Sequence, residues 1–257
     1  MQPILIDKET LTLDDVVAVA RKNCPVEFSR EGSRRVEQTR ALIDEWVTEK
    51  KVIYGITTGF GALCNVPISE ADTRQLQHKI IMSHAAGIGA PLPKDVVRAI
   101  MAVRLHDLFM GYSGCSLKTL QYLTAFLNNG VTPLVPEKGS VGASGDLAPM
   151  AHLGLVLLGK GQAFYQEERM DGARALAKIG LNPLELMAGE GLALINGTQV
   201  MTGIASLVVH DAIRLAKLAD IACAMSLEVL MGSNSEFDPR IHQIRPHPGQ
   251  VASADNM

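Results

Sequence analysis

No two of the four cysteines in this 257-residue sequence stand at a paired spacing. Cys24, Cys64, Cys115 and Cys223 are scattered, which argues against a disulfide framework and a zinc site and suits a reducing, cytoplasmic compartment. Charge of one sign is also scarce. The formal net charge is −3 and no basic run exceeds Arg34-Arg35 or Lys50-Lys51, so nothing marks a nucleic-acid partner. Small polar or anionic molecules are the expected partners. MQPILIDKET has neither the charged start nor the apolar run of a signal peptide, and we expect charge to interrupt every apolar stretch before spanning length, so no membrane role is expected. The seven histidines show no HExxH-like spacing, and no metal is expected; His106, His152 and His210 read as surface or satisfied core imidazoles. Gly154, Gly159 and Lys160 fit the spacing of a phosphate loop, but Gly161 stands where a hydroxyl is needed and the intervening LVLL is too bulky to wrap phosphates. Ser144 lacks the context of a nucleophile elbow. Neither an internal repeat nor a low-complexity tract interrupts the chain.

What is present is apolar and helical. Hydrophobic residues make up 47% of the chain, enough for a sizeable core, and they recur at three- and four-residue steps. Leu13, Val16, Val17 and Ala20 form one face behind Thr12, a cap with Asp15 three residues on. Val36, Ile43, Trp46 and Val47 form a second. Helices are expected over 69–84, 93–111 and 116–130, the last two ending on glycine. KVIYGITTGFGAL, 51–63, reads as a short extended piece opening into a loop, and strand-like segments are too few for a large sheet. From 198 to 231 there is no proline and apolar residues recur throughout; one helix of that length runs roughly 50 Å and belongs in a long bundle. The proline-rich tail FDPRIHQIRPHPGQVASADNM offers no closing element. The fold class expected is mainly α, a globular helical region at 1–196 leading into the start of a long-helix bundle at 197–257 whose other half is absent.

The strongest local signal is GSVGASGDLAPM, 139–150. If the amide nitrogen of Gly145 attacks the carbonyl carbon of Ala143, a five-membered ring closes across Ser144, and loss of water turns that serine into a dehydroalanine. The product is an electrophile. Glycine at the third position gives the least hindered amide and permits the strained turn, and alanine at the first adds no bulk. The plainer alternative is a glycine loop capping a helix at Asp146. Tyr54, before GITTGFG, sits on a loop able to swing into a site; a phenol of ordinary pKa about 10 needs a positive or hydrogen-bonding surround to act as a base. His84 ends a helix at SHAAGIG among small residues that leave room for a ligand. The amide of Asn196, in INGTQ, either caps the helix that follows or binds a carboxylate.

GSVGASGDLAPMAHLGLVLLGKG, with YGITTGFGAL upstream and EGLALINGTQVMTG downstream, resembles the aromatic amino acid ammonia-lyase family, and the Ser83-His84 pair looks like that of its histidine-acting branch. The resemblance covers nearly the whole chain. It implies an ammonia-lyase/fumarase-like fold in which Ala143, Ser144 and Gly145 cyclise into 4-methylidene-imidazol-5-one (MIO), the sole cofactor implied. It further implies that the substrate amine adds to the electrophile in covalent catalysis, that Tyr54 abstracts the β-proton, that His84 and Asn196 bind substrate, and that Gly61 and Asp146 support the site. The expected reaction is elimination of ammonia from L-histidine to give trans-urocanate, in a homo-oligomer that is a tetramer in the family.

Family chains run to about twice this length, and two groups that their C-terminal half supplies, an arginine for the substrate carboxylate and an acid near the imidazole, have no positions here. RPHPGQ resembles other branches as much as the histidine one. A tyrosine or phenylalanine ammonia-lyase and an aminomutase remain alternatives, as does an inert fragment acting as a structural or interaction partner.

Overall fold

The computed structural model describes residues 2–7, 11–59, 70–141 and 145–257, the side chains of 70–74 excepted. It divides into two compact units, Met1–Leu207 and Val208–Met257. In the first, β1 (Ile4–Ile6) pairs in parallel with β2 (Val26–Phe28). Between them lies α1 (Leu13–Arg21), opened by a complete capping box in which the Thr12 and Asp15 side chains each bond the other's backbone N–H. Ser29 caps α2 (Arg30–Thr48) through the Gly32 N–H. The helices α3 (Glu70–His84), α4 (Lys94–Phe109) and α5 (Leu117–Asn129) follow, with β3 (Ile88–Pro91) between the first two. The ends of α5 are those the sequence predicts: Ser116 caps its start and Gly130, at φ 72°, ends it in the left-handed conformation.

The first unit forms its core around α4. Ile100, Met101, Leu105, Leu108 and Phe109 are buried, and so are Arg98 and Arg104 on the same helix. The Arg98 guanidinium donates to the carbonyls of Val19 and Leu127, satisfying acceptors that two other helices leave at their C-terminal ends. Small sheets flank the helices. β3 pairs antiparallel with β5 (Pro136–Lys138), while β4 (Thr132–Pro133), β6 (Gln162–Tyr165) and β7 (Glu168–Asp171) make a three-stranded antiparallel sheet. α6 (Leu147–Leu157) and α7 (Gly172–Lys178) precede α8 (Glu190–Ile195) and the long α9 (Gln199–Val229). Gly154 sits inside α6, so the apparent phosphate-loop spacing falls on a helix.

The second unit holds the later turns of α9, α10 (Pro239–Gln243) and α11 (Pro248–Asn256). Asp220 on α9 accepts hydrogen bonds from Ser253 and Asn256 of α11, at 3.0 and 2.8 Å. Val208, Ile213, Leu218, Ile221 and Met225 are exposed.

Three expectations need correction. The segment beginning at residue 51 forms no strand among its described residues; it makes a turn over 54–57, because Gly55 takes φ 71° and the amides of Ile56 and Thr57 both bond the Ile53 carbonyl. The tail does contain closing elements, since Pro239 and Pro248 stand at the first turns of α10 and α11, where a missing N–H costs nothing. Finally, Glu190–Val229 is long and apolar enough to cross a membrane by length and composition. What interrupts its apolar first half is the break at Asn196 and Gly197 between two helices; Asp211, Arg214, Lys217 and Asp220 then fall within α9.

Candidate active site

Asp146 is the N-cap residue of α6 by position, yet its carboxylate makes no cap bond to that helix. It reaches instead to the start of α9, where Oδ2 accepts the N–H groups of Val200 and Met201 at 3.0 and 3.1 Å. A carboxylate there satisfies orphan donors and lies at the positive end of the helix dipole. Its other oxygen accepts from Ser140 Oγ at 3.0 Å, and the same hydroxyl is within reach of the Gly145 carbonyl. Ser140 thereby reaches across to both Gly145 and Asp146. Ala143 and Ser144 lie outside the described residues, as does Gly61. Gly145 takes φ 81°, and a Cβ there would meet nothing within 4 Å, so the backbone conformation, and not crowding, selects glycine.

His84 closes α3, and its Nδ1 lies 2.8 Å from the Ile80 carbonyl. A carbonyl only accepts, so Nδ1 carries the hydrogen in this contact. Ser83 Oγ donates to the same carbonyl at 3.0 Å. Just beyond, the Gly87 N–H donates to Nε2 of His152 on α6 at 3.0 Å, and Gly139 approaches Gly87 backbone to backbone. Burial lowers the His152 pKa, consistent with a neutral ring accepting that bond.

The helices ending at His84, beginning after Asp146 and ending at Asn196 pack against one another. Gly191 on α8 allows the closest approach: a Cβ there would fall 2.7 Å from the Gln77 carbonyl oxygen of α3. The turn bearing Tyr54 rests on α8 too, with Gly55 against Leu192, and Tyr54 itself is 56% exposed. Asn196 is exposed and terminates α8 in an extended conformation; it does not cap α9, whose first amides Asp146 holds. The structure thus draws Tyr54, His84, Gly145, Asp146 and Asn196 to the ends and loops of one packed group of helices.

Sequence reasoning missed the polar groups that hold this arrangement. Glu190, fully buried, accepts the N–H groups of Ser116 and Met187 and the Thr119 hydroxyl, each at 2.7 Å. Gln77 accepts the Gly191 N–H, and Arg40 donates to the carbonyls of Gly114 and Ala188. Arg104, 2% exposed, donates to the carbonyls of Ala193, Leu194 and Asn196 and pairs with Asp107 at 2.9 Å. Burial lowers its pKa and Asp107 opposes that shift. The thiol of Cys115, buried beside these groups, is pushed well above its usual pKa, first by burial and then by Glu190. The available signal was a charged residue on a core-facing position, as with Arg104 in AVRLHDLF.

Among the described residues no cluster of three or more His, Cys, Asp or Glu could hold a metal ion. A cleft of about 450 Å³ lies between Arg21, Lys94, Asp95, Arg98, Phe164 and Glu167, and none of the described candidate site residues lines it. Arg21 pairs with Asp95 and Lys94 with Glu167, while Arg98 is bonded to main-chain carbonyls.

A mainly helical scaffold carries a glycine-rich segment beside the buried carboxylate of Asp146, together with a helix-terminal histidine and an exposed tyrosine turn. The sequence profile described as aromatic amino acid lyase matches residues 11–257, and the chain belongs to that family. It is 53% identical over 254 residues to a histidine ammonia-lyase of Streptococcus gordonii, covering 99% of this chain and 50% of that protein. A histidine ammonia-lyase of Alkaliphilus oremlandii is 51% identical over 257 residues, 100% of this chain and 51% of the relative. Among solved structures, histidine ammonia-lyase from Trypanosoma cruzi superposes with a TM-score of 0.92 at 38% identity, covering 99% of this chain and 49% of that one. Tyrosine aminomutase from Streptomyces globisporus matches with the same TM-score of 0.92 and 38% identity, covering 99% and 48%. The chain spans about half the length of the curated relatives it matches.

Proposed function

We propose that this chain is the N-terminal part of an ammonia-lyase that eliminates ammonia from L-histidine to give trans-urocanate, with MIO formed from Ala143, Ser144 and Gly145. The observation behind this reading is the contact of Ser140 with Gly145 and Asp146. Ser140 and Asp146 hold the flanks of the triplet together while Gly145 takes a left-handed backbone with open space where a side chain would be. The described residues fit such a group. MIO supplies an electrophile for the substrate amine, which no ordinary side chain offers. Tyr54, on its exposed turn, removes the β-proton. His84 and Asn196 bind the substrate, and Gly61 and Asp146 support the site.

The second reading is an aminomutase or a tyrosine or phenylalanine ammonia-lyase, favoured by the solved aminomutase that matches this chain as well as the histidine enzyme does. The relatives at 51–53% identity favour histidine. An inert fragment is the third reading, supported by the exposed apolar row on α9. In the lyase reading 1–196 is the MIO-bearing domain, 197–257 begins a long-helix bundle, and the apolar row of α9 is covered in a cytoplasmic homotetramer. Two measurements decide. The intact mass of the protein completed with its C-terminal half should be short by two waters if the triplet has cyclised, and an unmodified mass would sink the electrophile. Product analysis with histidine, tyrosine and phenylalanine, with and without an added C-terminal half, should give urocanate and ammonia from histidine alone; β-amino acids would indicate an aminomutase, and no product an inert fragment.

A further inference from the structure

We infer that Arg104 is a positioning residue for Asn196, so that a guanidinium in the core of α4 sets the aim of a substrate-binding side chain on another helix. The inference deepens the lyase reading and rests on it. α8 has six residues, too few to define its own ends, and its last turn leaves carbonyls that no later helical amide can satisfy. Arg104 supplies the missing donors. Nε bonds the Leu194 carbonyl at 3.1 Å, and Nη2 bonds those of Ala193 and Asn196, the latter at 3.0 Å. Nη1 is anchored by Asp107 at 2.9 Å, so the planar fork cannot rotate without losing an ion pair.

Asn196 is held from both sides as a result. Its N–H donates to the Leu192 carbonyl at 2.9 Å and its C=O accepts from Arg104, while the residue remains exposed. With both peptide groups fixed, little besides the side-chain torsions is left to vary. At its other end α8 is fixed by Glu190 and Gln77, and beyond Asn196 the chain is picked up by Asp146 at Val200 and Met201. Arg104 is the link of this frame that touches Asn196 directly. A lysine cannot replace it, since one ammonium on a flexible stem does not match three carbonyls arranged around a planar fork.

The test is a double-mutant cycle in the enzyme completed with the C-terminal half of its relatives, following ammonia release from L-histidine. Arg104→Lys should lower kcat by about 10- to 100-fold, the scale of a small misplacement of a binding group, with the two-water mass deficit unchanged. Asn196→Ala should cost at least as much. If Arg104 acts through Asn196, the double variant should be no slower than Asn196→Ala alone, because coupled residues do not add. Asp107→Ala, which removes a half-exposed anchor, should give a smaller loss with the same non-additivity and serves if Arg104→Lys does not fold. Losses that multiply, or an Arg104→Lys enzyme as fast as the parent, overturn the inference while leaving the lyase reading intact. A completed parent that releases no ammonia overturns both.

Discussion

In the unit Met1–Leu207, Arg40, Arg98, Arg104, Asp146 and Glu190 are all at most 6% exposed, whereas in Val208–Met257 the apolar Ile213, Leu218, Ile221 and Met225 are all at least 49% exposed. The two regions invert the usual placement of charge and hydrocarbon, for different reasons. In the first, every one of those charges meets main-chain amides or carbonyls, those of Arg98 and Arg104 at helix C-terminal ends, so burial comes with hydrogen bonds already in place. In the second, Ala254 alone among the described residues is buried, and so few residues removed from water give no core of its own. One unit is stabilised from within by polar frames at helix junctions. The other presents a surface whose stabilisation is left to whatever covers it.

The sharpest way to break the comparison is to remove a charge from the first unit. Glu190→Ala strands two amides and a hydroxyl in the core and should cost about 3–5 kcal/mol, read as a lower urea midpoint; a loss under about 1 kcal/mol would mean that the frame is ornamental. Asp146→Ala should cost about 2 kcal/mol and accelerate hydrogen exchange at Val200 and Met201 before the rest of α9. A milder probe is pH. His152 accepts the Gly87 N–H while neutral and its pKa lies below the usual 6.5, so its contribution is complete above pH 6.5. As pH falls below that value the unfolded chain binds the proton first and stability declines, a slope that His152→Gln should remove in urea titrations across that range. At the smallest end, Leu218→Lys and Ile221→Lys should leave the first unit's stability within ~0.5 kcal/mol of the parent. Sedimentation should show weaker self-association of those variants, and unchanged association would mean that the apolar row of α9 is not the contact.

Elements whose boundaries rest on local chemistry were legible in the sequence. Thr12 with Asp15, Ser116 and Gly130 mark helix ends through bonds to residues three or four positions away, and α9 follows from a long proline-free repeat. The turn at 54–57 was not, because β-branched residues there mimic a strand while Gly55 and the Ile53 carbonyl decide otherwise. Asp146 shows the limit most clearly. Its position before α6 reads as a local cap, but its partners are the amides of Val200 and Met201, more than fifty residues on. The partners of Arg104 and Glu190 were hidden for the same reason, since a periodicity of apolar residues records which face is buried and not which distant group a buried charge will meet. The candidate site residues were marked by motif and resemblance; the frame around them could be found only in three dimensions.

Cys115 gives that frame a clock. Its thiol is enclosed beside Glu190 and Arg104 and held far from the thiolate form, whereas Cys223 is exposed. A thiol reagent should therefore modify Cys223 at once and reach Cys115 only during the intervals in which the junction of α5 and α8 opens. The labelling rate at Cys115, read by peptide mapping apart from Cys24 and Cys64, would count those openings, and so time the lapses of the scaffold on which Asn196 is mounted.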